Sequence, residues 1–170
     1  MTLHERAVPP MNADERTTLE SWLDFHRSTL AGKCAGVDDA GARRPSAEPS
    51  PITLIGLVQH LTEVERTWFR RVLRGADLPT VLGEPYDPTL PSGGFEVPEG
   101  ATLAGTLAVW QEETAASRAA CADAGLETTG DFGGTPVSLR WIYVHLIEEY
   151  ARHNGHADLV RERIDGATGV

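Results

Sequence analysis

Lysine is almost missing from this 170-residue sequence: Lys33 stands alone among the basic residues beside arginines only. Acids outnumber bases by 25 to 15, for a formal net charge of −10, and the arginines are interspersed with the acids. With no basic patch, nucleic acid is not an expected partner. Long apolar runs are also missing, and nothing approaches the roughly 20 residues that a membrane span requires. The opening segment, Met1–Arg16, lacks the apolar core of a signal peptide. The expectation is a cytoplasmic protein with no membrane partner. Cysteine is scarce: Cys34 and Cys121 lie far apart, each inside a helical pattern, and read as small buried hydrophobes. Strand-type alternation and internal repeats are absent, so no sheet is expected. Few lysines with many arginines and alanines point to a GC-rich genome.

What the sequence does contain is helical periodicity. Residues 1–12 form a lead-in, with Pro9 and Pro10 blocking a helix. Residues 13–166 read as one domain, a length that supports a proper core. A first helix is expected from Ala13 to Cys34, with Leu19, Trp22, Leu23, His26 and Leu30 inward. A Gly/Pro/Ser/Asp-rich loop follows to Ser50. Ser50 and Pro51 predict the start of a second helix, and Gly75 predicts its end. Its stripe is Leu54, Leu57, Val58, Leu61, Val64, Trp68 and Val72, with His60 at or beside the core. Residues 76–101 are a long Pro/Gly-rich loop, of the kind that forms lids or binding walls; the plainer alternative is a surface connection pinned by Tyr86 and Phe95. A third helix spans Thr102 to Ala124, with Leu103, Leu107, Trp110, Thr114 and Cys121 inward. After a short loop, Ser138 is the expected N-cap of a fourth. Four amphipathic helices with one long crossover define an all-α four-helix bundle, with helices two and three parallel or crossing the bundle end.

The fourth helix carries the chemistry. Leu139, Ile142, Leu146, Glu149, His153, His156 and Val160 recur at steps of three and four, a core-facing seam. A carboxylate and two imidazoles occupy places where aliphatics belong. Buried carboxylates need a partner. Either a divalent metal is held by Glu149 and His153, one turn apart, or the bundle end is wet and these groups pair with arginines. A metal would need a third ligand from a facing helix, and His60 is placed for it. His145 lies one turn before Glu149 but off the seam. His26 reads as a core-edge histidine or a support behind a site.

The runs Thr53–Phe69 (TLIGLVQHLTEVERTWF) and Ser138–Gly166 (SLRWIYVHLIEEYARHNGHADLVRERIDG) resemble the DinB/YfiT-like metalloenzyme superfamily. The branch they most resemble is related to the N-terminal domain of mycothiol-dependent maleylpyruvate isomerase. The resemblance implies an up-up-down-down-type four-helix bundle with a metal near one end. It also implies the ligand set His60, Glu149 and His153, with His156 behind the ligands or on the pocket wall.

Two imidazoles and one carboxylate leave a coordination position open, as catalytic sites do. A thiol arriving there would ionise. The resemblance implies a low-molecular-weight thiol, mycothiol, as co-substrate, and an S-transferase acting on an electrophilic small molecule. A hydrolase using the same site and a non-catalytic, metal-stabilised bundle with a stress or binding role are the alternatives. Zinc is the first expectation for the metal and nickel the second. His156, His26 and Arg140 are candidates for the pocket or for support behind the ligands, and Trp68, Trp141 and the Tyr86–Phe95 loop for its walls. Trp22, Phe25 and Trp110 exceed what one small core needs, which suggests a homodimer.

Overall fold

The computed structural model describes residues 6–81 and 95–168. Each long helix begins where a short polar side chain can satisfy a free backbone N–H. Helix α1, Glu15–Cys34, is capped by Asp14, whose Oδ1 accepts from the Thr17 N–H at 2.9 Å. Leu23, Leu30 and Cys34 bury its inner face. Trp22, expected inside, is 43% exposed, and Arg27 takes an inward position instead. A five-residue helix, α2 (Asp39–Arg43), interrupts the stretch expected to be loop, with Asp38 as its cap.

The second long helix does not start at Ser50. Pro51 and Ile52 remain non-helical, and the Ser50 hydroxyl reaches only the Ile52 N–H, at 3.3 Å. Thr53 is the cap of α3, Leu54–Glu65, its Oγ1 accepting from the Gly56 N–H at 3.0 Å. A single apolar stripe also understates α3, because Gln59, Thr62 and Glu65 are buried along with the aliphatics. Beyond Glu65 the helix continues not as α but as a π-helical segment, Arg66–Val72. It ends as the sequence suggests: Gly75 has φ +65°, and the Ala76 N–H reaches back to the Arg70 carbonyl at 3.0 Å, one residue wider than a Schellman closure.

Helix α4, Leu103–Cys121, is capped by Thr102. Trp110, counted above as surplus, belongs to the core: it is buried and its Nε1 donates to Tyr150 Oη at 2.8 Å.

A two-stranded antiparallel hairpin, β1 (Thr129–Phe132) and β2 (Thr135–Ser138), occupies what reads as a short loop. This corrects the expectation of no sheet. Gly133 and Gly134, at φ +59° and +89°, form the two-residue turn that such hairpins need. The hairpin lies hard against the end of the π segment, since a Cβ on Gly130 would stand 2.0 Å from the Val72 carbonyl oxygen. Ser138 then caps α5, Leu139–Asp165, which closes on Gly166 at φ +79°.

Cross-helix contacts set the directions. Arg140, Tyr143 and Asn154 of α5 meet Glu15, Glu20 and His26 of α1 in the same order, so these helices are parallel. Arg66 and Arg74 meet Glu113 and Ala120, so the α3–π run is parallel to α4, as a long crossover allows. His60 meets Glu149 while Trp68 meets Trp141, so α3 opposes α5. The four long helical runs therefore go up, down, down, up, which differs from the up-up-down-down order that the resemblance implies. Seam positions Leu139, Ile142, Leu146, His153 and Val160 are buried. Glu149 and His156 are half-buried at its edge, because Tyr143, Tyr150 and Ala157 take the neighbouring inward row.

Candidate metal centre

Three residues expected at one place are found there. His60 comes from α3, near the middle of a helix whose Thr53 cap and buried flanks fix its rotation. Glu149 and His153 come from α5, one turn apart, where i and i+4 share a face. His60 Nε2 lies 3.4 Å from Glu149 Oε2, and His153 Nε2 lies 3.3 Å from the same oxygen. The imidazole centroids are 4.5 Å apart. One donor atom from each residue fits within 4.8 Å of the others. These spacings suit a divalent ion: with bonds of about 2.0–2.2 Å, neighbouring donors of a tetrahedral site stand about 3.3–3.6 Å apart. The Glu149 side chain keeps 20% exposure, so the cluster opens to the surface.

The two imidazoles hold the Glu149 carboxyl well below the usual carboxylate range, His153 contributing most and His60 next. Glu149 is thus ionised at neutral pH. His153 presents its other nitrogen to His156, Nδ1 to Nδ1 at 3.3 Å. Burial, and then the neighbouring His153 and Arg152, push the His156 imidazole down. When His153 ligates through Nε2, His156 stands within reach to accept its Nδ1 proton, an orientation of the kind that ligating histidines use. Phe95 forms an apolar wall, its ring 5.0 Å from His60 and 5.7 Å from His153. Gly56 permits this, because a Cβ there would come within 2.8 Å of the Phe95 carbonyl oxygen. Tyr86, the other wall residue expected from the long loop, lies outside the described residues.

Other expected contributors sit elsewhere. Arg140 is taken up by Glu15 at 2.5 Å and Glu127 at 2.6 Å, so it ties α5 to the start of α1 and is not among the clustered donors. Its guanidinium finds two exposed carboxylates nearer than the site. His26 packs against Phe25 and Trp22, with centroids 5.7 and 6.2 Å away. Burial alone depresses its pKa, and its backbone carbonyl accepts from Asn154 Nδ2 at 3.0 Å; it is not among the clustered donors.

His145, left off the seam, belongs to the surroundings of the site after all. Its Nε2 lies 3.9 Å from Glu149 Oε1, the oxygen facing away from His60 and His153. Its ring stacks on Trp141 at 4.9 Å and 18°, and meets Trp68 edge-on at 4.6 Å. Its place one turn before Glu149 continues a row beside the seam, in which His145, Glu149 and His153 stand at successive steps of four.

With the geometry described, comparison with known proteins adds one finding. The family model described as mycothiol-S-transferase matches residues 18–166. Neither curated proteins nor solved structures give a match. The matched span runs from α1 to the end of α5 and contains His60, Glu149 and His153. The chain belongs to the mycothiol-S-transferase family, a DinB/YfiT-like family.

Proposed function

We propose that the protein is a metal-dependent S-transferase that joins mycothiol to an electrophilic small molecule. The carrying observation is the convergence of His60 and His153 on Glu149 Oε2 at 3.4 and 3.3 Å, with one donor atom from each residue within 4.8 Å of the others, in a chain of the mycothiol-S-transferase family. His60 Nε2, Glu149 and His153 Nε2 would hold the ion, zinc first and nickel second. When bound, the ion supplies positive charge that lowers the pKa of a thiol beside it. His156 keeps His153 in the ligating tautomer, Phe95 excludes water from one side, and Glu149 stays ionised. The thiol proton leaves to solvent, a sulfur–carbon bond forms, and the carbon's leaving group departs with its bonding pair.

The helix directions and pairings support reading residues 13–166 as a single DinB-type four-helix bundle, with α2 and the hairpin as additions between helices. An acidic chain whose described helices are all too short or too polar to span a membrane suits the cytoplasm and small-molecule partners rather than nucleic acid. Exposed Trp22, beside Phe25 at 5.7 Å, is the face on which a homodimer would form. Light scattering of wild type and Trp22→Ala tests that pairing: a dimer mass lost in the variant supports it, and a monomer mass for wild type rejects it.

The functional test is thiol consumption with mycothiol and a panel of electrophiles. The expected result is turnover by the metal-loaded protein and its loss in His60→Ala and His153→Ala variants that keep their helical circular dichroism. Turnover unchanged in those variants would reject the proposal.

A further inference from the structure

On the far side of Glu149 an aromatic cluster lies where the α3–π run faces α5. His60 and Trp68 lie two turns apart on the α3–π run; Glu149, His145 and Trp141 answer them at steps of four on α5. Beyond His145, the Trp68 ring lies 5.1 Å from Trp141 and 5.0 Å from Phe132 of the hairpin. The near-parallel Trp141–His145 stack shows that this surface already holds a flat ring face-on. Trp141 and Phe132 are about half exposed, at 48% and 52%, although large aromatics normally go to the core. A cluster of exposed rings beside a polar centre is the composition of a ligand site.

The charge of the surface selects its occupant. Indole faces carry negative electrostatic potential. Within the cluster, His145 brings in two carboxylates, Glu148 and Glu149, each 3.9 Å from one of its nitrogens. Electron-rich faces flanked by acids favour an electron-poor ring over an electron-rich or anionic one. A carbon open to attack by a thiolate is electron-poor by the same chemistry. We propose that Trp141, Trp68, His145 and Phe132 form the acceptor subsite and hold the flat, electron-poor aromatic ring of the electrophile. The shelf meets the centre at Glu149, whose two oxygens face His145 on one side and His60 and His153 on the other. A ring bound there would lie on the Oε1 side of Glu149, next to the centre. This assignment rests on the transferase proposal for what the ligand becomes, but not for whether it binds.

Two measurements on the full-length, metal-loaded chain separate these points. In the first, binding of 1,3-dinitrobenzene, which has no halide and no activated nitro group to lose, is followed by equilibrium dialysis without thiol. Wild type should bind it, Trp141→Ala should weaken binding about 3- to 10-fold, and Trp141→Phe should restore most of it, while Trp22→Ala should match wild type. In the second, kcat/KM for chlorodinitrobenzene is divided by that for iodoacetamide, an electrophile without a ring. Trp141→Ala should lower this ratio by a similar factor. Dinitrobenzene binding that depends on Trp141 in a protein with no transfer activity upholds the shelf and rejects the transferase. Transfer activity with an unchanged ratio and no such binding rejects the shelf. Binding of methyl glucoside at Trp141 in place of dinitrobenzene rejects it as well, in favour of a sugar subsite.

Discussion

Arg27 Nε and Nη2 donate to the two oxygens of Glu65, both at 2.8 Å, in a part of the core where the Glu65 side chain has no exposure. Tyr150 adds its hydroxyl proton to Glu65 Oε1 at 2.9 Å, and Trp110 donates to Tyr150. One polar network therefore ties α1, α3, α4 and α5 together. Removing Glu65 leaves the buried Arg27 with only the half-exposed Asp24, 2.8 Å from its Nη1. Glu65→Leu should cost about 3–5 kcal/mol in denaturant unfolding, and adding Arg27→Met should recover much of the loss. A Glu65→Leu protein as stable as wild type would contradict this network's role.

The hairpin gives a second prediction. Gly130→Ala places a methyl group against the Val72–Leu73 backbone, which has no flexible end to move aside. Unfolding free energy should fall by about 1–3 kcal/mol, while Gly133→Asn, at a turn position that tolerates Asn, should cost less. Equal effects from the two changes would mean that the hairpin does not sit against the π segment.

The cysteines are expected to be inert. Burial pushes the Cys34 thiol up to about 12 and the Cys121 thiol up to about 11. The thiolate is the reactive form, so a chromogenic disulfide reagent at neutral pH should label neither until denaturant is added. Rapid labelling of either thiol in the folded protein would show that it is not buried as described.

Stability without metal should fall toward acid. Burial holds His26 below its ordinary 6.5, so the unfolded chain takes up that proton first, and stability declines as pH drops through and below 6.5. His156 acts in the same direction. Glu149 is held below its ordinary 4.5 by His153 and His60, so its contribution is present above 4.5 and is lost as pH falls below it. Melting temperature in the presence of a chelator should be level at neutral pH, decline below about 6.5, and decline further below about 4.5. A melting temperature that rises on acidification would contradict both assignments.

Much of the helical framework is legible in the sequence because its ends are chemical signals. Ser138 caps α5 and Gly166 closes it in a left-handed conformation that favours glycine. The His60–Glu149–His153 cluster is legible because Glu149 and His153 interrupt an aliphatic seam at helical spacing. Arg27 and Glu65 are not legible, since a charged residue at a seam edge on one helix looks like surface until the facing helix supplies its partner. The hairpin escapes for a different reason. Its strands have only four residues each and lie mostly at the surface, so no alternation marks them, and Gly133–Gly134 alone resembles any loop. The Ser50–Pro51 start misleads because Thr53, three residues later, is an equally good cap and is the one followed by the buried run.

Metal content tests the central claim most directly. Purified wild-type protein, dialysed and analysed by inductively coupled plasma mass spectrometry, should carry one zinc or nickel ion per chain. His60→Ala, Glu149→Ala and His153→Ala should each lose it while remaining helical, and His145→Ala should retain it. Wild-type protein that binds no divalent metal, or a His153→Ala variant that keeps its full complement, would contradict the assignment of His60, Glu149 and His153 as a shared metal centre.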